Sequence, residues 1–143
     1  MRRMLAFVLV ALFVLPASLS AGVWPFGNTK TYNLGSNPSK GTYALEDGLG
    51  FIQVDGHDEQ DAELGLTVLP GSVALESDSD ANFAECRVRE LVVLLPGQLC
   101  ALWGKSDTQR REYHIRISWV YEEKKGAQVV VVRVEKRTIK LAK

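Results

Sequence analysis

Few residues in this chain have chemistry to offer, and most of those are acids. Asp55-Gly56-His57-Asp58-Glu59-Gln60-Asp61 gathers four carboxylates and one of the two histidines of the chain within seven positions. Hard divalent cations are held by several oxygens converging from a turn, so the segment invites a calcium reading. An EF-hand loop, however, needs glycine at its sixth position and a bidentate glutamate at its twelfth, and here glycine stands second and Leu66 stands twelfth. The segment therefore reads as a solvated polar loop between two strands, and the alternating acids Glu76, Asp78 and Asp80 read the same way. A hydrolase working through two carboxylates, with or without a metal, stays open because acids are abundant, although no spacing selects a pair.

Other catalytic patterns are missing. His57 and His114 lie too far apart for a zinc site of the H-E-x-x-H type. His114 precedes Ile115 on what reads as the polar side of a strand, where a solvated or hydrogen-bonded surface histidine is expected. Ser36 and Ser72 both follow a glycine but lack the G-x-S-x-G frame of a nucleophile elbow. Gly48-Leu49-Gly50 has Gln53 where a dinucleotide fingerprint needs its third glycine. No catalytic residue, cofactor ligand or metal ligand is assigned from the sequence. Cys86 and Cys100, the only cysteines, have neither C-x-x-C spacing nor a histidine cluster beside them, so a disulfide between them is the expectation.

That expectation depends on where the chain matures. Met1-Arg2-Arg3-Met4 places positive charge ahead of the apolar run Leu5 to Leu15, and the small residues of Pro16 to Ala21 end it. This is the pattern of a secretory signal peptide over residues 1–21. The apolar run is shorter than the roughly 20 residues that cross a bilayer as a helix, so removal is expected and no transmembrane span is expected in the mature chain. Residues 22–143 then form a single domain, periplasmic or extracellular.

Period-two alternation dominates that domain. Strands are expected at Thr29 to Leu34, Thr42 to Leu45, Leu49 to Val54, Glu63 to Leu69 and Ser72 to Leu75. Residues 81–95 fit a strand or a helix N-capped by Asp80. Strand is preferred because Leu91 to Leu95 stops at Pro96-Gly97-Gln98 and resumes at Leu99 to Trp103 as if in a hairpin. Such a hairpin would leave Cys86 far from Cys100, so a bond between them requires a bend, a bulge or a change of sheet between Glu90 and Leu94. Ile115, Ile117, Trp119 and Tyr121 share one face of a strand, and Val130, Val132 and Val134 share one face of the next. A turn at Lys125-Gly126 pairs Tyr121 with Val130, Trp119 with Val132 and Ile117 with Val134, and sets Arg116 opposite Glu135 on the reverse face. Val120, Val129 and Val131 make that reverse face apolar too, which calls for cover from the Trp24-Phe26 segment or from a partner. Seven to eight short strands of this kind make an all-β fold, an antiparallel β-sandwich or small barrel.

Charge is zero overall but unevenly placed. From residue 22 through Cys86 there are two basic and eleven acidic residues, and from Arg87 onward thirteen basic and six acidic. The halves carry minus nine and plus seven, which yields either a mixed solvated surface or a bipolar one that steers a charged partner. Nucleic acid is disfavoured because the basic residues alternate with acids and no recognition motif is present. The reading is an exported, non-catalytic binding domain for a protein or envelope component, with Gln128 to Glu135 as a candidate pairing edge and Trp24, Phe26 and Trp103 as candidate anchors. The alternatives are a small carboxylate hydrolase and a structural subunit that assembles by strand addition.

Overall fold

The computed structural model describes residues 27–36, 38, 41–78 and 83–142. The signal-peptide segment and the Trp24-Phe26 segment lie outside the described residues, as do residues 81 and 82 of the ambiguous stretch. Among the described residues there are nine strands: β1 (Asn28–Gly35), β2 (Gly41–Ala44), β3 (Gly50–Asp58), β4 (Glu63–Pro70), β5 (Leu75–Ser77), β6 (Leu91–Leu94), β7 (Cys100–Ser106), β8 (Arg111–Lys124) and β9 (Ala127–Lys140). They form two antiparallel sheets, ordered β1-β9-β8-β7-β5 and β2-β3-β4-β6, and neither closes into a barrel. No helix occurs among the described residues.

The β8–β9 hairpin is the spine of the larger sheet, and its register is the one the alternation demands. Tyr121 pairs with Val130, Trp119 with Val132, Ile117 with Val134 and Arg116 with Glu135. Lys125 and Gly126 both adopt left-handed backbone, with φ of 52° and 78°, the two-residue turn whose twist matches the flanking strands. Inward residues of this sheet, including Leu102, Ile115, Ile117, Trp119, Val130 and Val132, meet Ile52, Val54, Leu64, Leu66, Val68 and Leu94 of the smaller sheet in one shared core.

Four expectations change. Residues 91 to 103 do not make a hairpin: β6 pairs with β4 in one sheet and β7 with β8 in the other, so the chain crosses between layers through Pro96-Gly97-Gln98. The change of sheet that the cysteines require falls before β6, not within it. Ala84 bridges to Cys100 of β7 and Val88 bridges to Val68 of β4, so residues 84–88 pass from one layer to the other with Cys86 midway. The sulfurs of Cys86 and Cys100 lie at disulfide distance, 2.04 Å, and both residues are fully buried. Next, β9 offers no free edge, because β1 covers the side that β8 leaves open. Third, β5 runs over Leu75–Ser77, displaced from Ser72 to Leu75, because only there does the chain lie alongside β7. Fourth, the acidic segment is mostly strand: β3 continues through Asp58 and the turn is confined to residues 59–62.

On the reverse face of the larger sheet Val129 and Val131 are buried and Val120 is half-buried, outside the shared core.

Candidate functional site

A β-bulge decides where the chemistry of residues 55–58 goes. Between Val54 and Gly56 the register against β4 slips by one residue, and Asp55 is the extra one. Strict alternation would have sent His57 outward with Phe51 and Gln53, but the bulge reverses parity and pairs His57 with the inward-facing Leu64. His57 therefore meets the far sheet: its Nε2 lies 2.7 Å from the Tyr121 hydroxyl, and its ring packs edge-on against Trp119. Trp119, fully buried, donates from Nε1 to the Leu94 carbonyl at 2.8 Å and stands edge-on to Tyr121. Burial and the negative charges of Glu59 and Asp58 raise the Tyr121 pKa, so its hydroxyl keeps its proton at neutral pH. This cluster joins the two sheets at one end of the core.

Outward residues of the smaller sheet fall into rows across β3, β4 and β6. Phe51 faces Leu69; Gln53, Thr67 and Leu91 form the next row; Gly56, Gly65 and Val93 the next; and Asp58 stands opposite Glu63. Asp55 sits in the bulge beside them, accepting hydrogen bonds from Gln53 Nε2 and Thr67 Oγ1, both at 2.6 Å. The glycine row leaves a hollow of about 340 Å³ in the sheet surface, open to solvent and lined by Asp55, His57, Asp58, Glu63, Leu91 and Val93. Beside it Leu91, Val93 and Leu95 are 61%, 47% and 51% exposed. β6 ends the sheet, so its far side has no strand partner among the described residues.

The other three edges look different. β1 is polar and carries Lys30, β5 has three residues and carries Glu76, and β2, with four residues like β6, reads Gly-Thr-Tyr-Ala. Charge and polarity are ordinary means of blunting an edge, and β6, reading Leu-Val-Val-Leu, has neither.

A second cleft, about 280 Å³, opens between β1 and the turn after β2, but its charges are paired internally. Lys30 bonds Glu46, which holds that carboxyl below its ordinary pKa, and Lys136 bonds Asp47 at 2.6 Å. His114 is half-buried, 3.8 Å from Asp78 and 3.7 Å from Glu112. Trp103, proposed as an anchor, is half-buried and donates to Glu112 at 2.6 Å. Among the described residues no group of three or more histidine, cysteine or acidic side chains converges as a metal site. Asp58 closes its own turn by accepting from the backbone of Gln60 and Asp61.

Among the described residues Glu135 is the one buried charged side chain, 6% exposed and opposite Arg116. Burial raises its pKa, while Arg116 and Arg133 pull the other way, and its Oε2 accepts no hydrogen bond. Because the folded-state value lies above the unfolded one, the folded protein keeps a proton that the unfolded chain has already lost. Stability therefore falls as pH rises from the ordinary glutamate value, about 4.3, through the raised one. Glu135→Gln should flatten that slope and raise the urea midpoint at neutral pH relative to the unaltered chain; an unchanged slope would remove Glu135 from the account.

Compared with known protein families, curated proteins and solved structures, the chain matches none. No helix among the described residues is long and apolar enough to cross a membrane.

The paired glycines and the apolar edge went unread in the sequence. A signal existed: Leu91, Val93 and Leu95 alternate, and only the choice of partner strand determines which set of side chains faces out.

Proposed function

We propose that this chain is an exported, non-catalytic binding domain that takes a polypeptide partner, a secreted or envelope protein, by strand addition along β6. The observation that carries this reading is the edge itself: two outward apolar side chains on β6 and a third, Leu95, just past its end, on a strand whose far side pairs with nothing among the described residues. A partner strand would satisfy the open backbone of β6 and cover Leu91, Val93 and Leu95. The buried cysteine pair at bonding distance supports an oxidising destination, and the apolar run between Arg3 and Pro16 supports export.

The test places a photo-crosslinking residue at Val93 and, as a control, at Thr31 on the β1 edge of the full chain. An adduct is expected from Val93 alone. With the adduct's protein purified, the double variant Leu91→Ser/Val93→Ser should bind it at least tenfold more weakly, about 1.4 kcal/mol, while circular dichroism and thermal midpoint stay close to those of the unaltered chain. Equal affinity would end the proposal.

A carboxylate hydrolase is the second reading, because the same hollow brings Asp55, His57, Asp58 and Glu63 together. Asp55 and His57 are already committed to bonds within the fold, which favours binding. Turnover of a glycoside or ester that Glu63→Gln abolishes would reverse the order.

A further inference from the structure

We propose that the hollow over Gly56 and Gly65 receives a lysine or arginine side chain from the strand that pairs with β6, so that the partner is an apolar segment carrying a cationic residue. This deepens the strand-addition reading and rests on it.

The first ground is the pair of glycines. Gly56 is outside the left-handed region, and a Cβ built on it would meet nothing within 4 Å. Neither backbone geometry nor packing requires a glycine there; what its absent side chain provides is the opening. Gly65, directly opposite, would bring a Cβ to 3.3 Å from Leu91, so its own bareness lets Leu91 lie against the sheet.

The second ground is the chemistry of the walls. One side is Leu91 and Val93; the other is Asp55, Asp58 and Glu63. Asp58 and Glu63 are direct cross-strand partners, a like-charge pairing that costs stability. Among the described residues neither Asp58 nor Glu63 is in an ion pair with a lysine or arginine. An apolar stem with a cationic tip fits both walls at once: the methylenes lie over Val93 and the charge reaches the carboxylates. A purely apolar side chain would desolvate the acids without compensation, and an acidic one would be repelled. An added strand would lie one strand spacing, roughly 5 Å, beyond β6, so only the long cationic side chains extend past Val93 toward the carboxylates.

The experiment titrates the isotopically labelled chain with three short synthetic peptides of alternating valine and threonine, identical except for a central lysine, norleucine or glutamate. Saturable shifts at the amides of Gly56, Gly65 and Val93 are expected with the lysine peptide, with at least tenfold weaker binding of norleucine and weaker still of glutamate. Gly56→Leu, which fills the hollow, and Glu63→Gln should each bind the lysine and norleucine peptides alike. Binding at Val93 without a lysine preference would overturn this inference and leave strand addition standing; no binding of any peptide at β6 would overturn both. Shifts at the same amides on concentrating the chain alone would assign the edge to a second copy and overturn the inference as well.

Discussion

Trp119→Ala is expected to cost about 3–5 kcal/mol, a large fraction of the roughly 5–15 kcal/mol that a folded domain has. The indole is fully buried, and contacts both within its own sheet and across the core depend on it. Its Nε1 supplies the hydrogen bond to the Leu94 carbonyl, its face takes the edges of His57 and Tyr121, and its bulk fills the space beside Val132. Leu94 belongs to the smaller sheet and Trp119 to the larger, so the substitution opens a cavity between layers and orphans a carbonyl in β6. Trp119→Phe separates the two contributions: it keeps an aromatic ring but loses the donor, with an expected cost of about 1–3 kcal/mol. Urea unfolding monitored by circular dichroism reads both. Equal losses for the two variants would show that the hydrogen bond, and not the volume, carries the effect; no loss in either would remove Trp119 from the core as described. Because β6 is the proposed docking strand, either variant should also weaken partner binding at concentrations where the protein remains folded.

Removing the Cys86–Cys100 link is the second large perturbation. A loop of about 15 residues closed by a disulfide contributes on the order of 3 kcal/mol by the chain-entropy model. Here the loop contains both crossings between the sheets and the whole of β6. Residues 84–88 are otherwise held by two isolated bridges, from Ala84 to Cys100 and from Val88 to Val68. Cys86→Ala/Cys100→Ala should lower the urea midpoint accordingly, and backbone hydrogen exchange should rise first over residues 84–94, leaving the β8–β9 hairpin protected. Uniform loss of protection across both sheets would instead make the link a determinant of the whole fold. Thiol reductants should reproduce the double variant only after partial unfolding, since both sulfurs are buried. A chain dependent on this bond belongs where disulfides persist, consistent with the export proposed for it.

The hairpin of residues 111–140 was fully legible before any coordinates, because Trp119, Tyr121, Val130 and Val132 admit one register that satisfies both faces, and Lys125-Gly126 marks the turn. The cysteine pair was legible too, together with the geometric conflict it posed. What misled was locality. Leu91 to Leu95 and Leu99 to Trp103 flank a Pro-Gly turn and look like partners, yet the Trp119 carbonyl accepts from Gly97 N–H and draws the turn across the core so that the two strands join different sheets. The acidic segment misled for a related reason: charged residues with a glycine suggest a loop, and nothing in their types reveals that β4 continues opposite them and extends the ladder to Asp58.

Side-chain types and their two-residue period, then, determined the all-β class, the antiparallel hairpin, its exact partners and the pairing of the two cysteines, because each follows from neighbours close in the chain or from a count of two. Tertiary structure alone decided which strand became the open edge, that a bulge at Asp55 turns His57 inward, and that Gly56 and Gly65 meet to leave a hollow. Those outcomes depend on pairings between β3, β4 and β6 across stretches of chain whose alternation is compatible with several partners, and only the competition for one shared core selects among them.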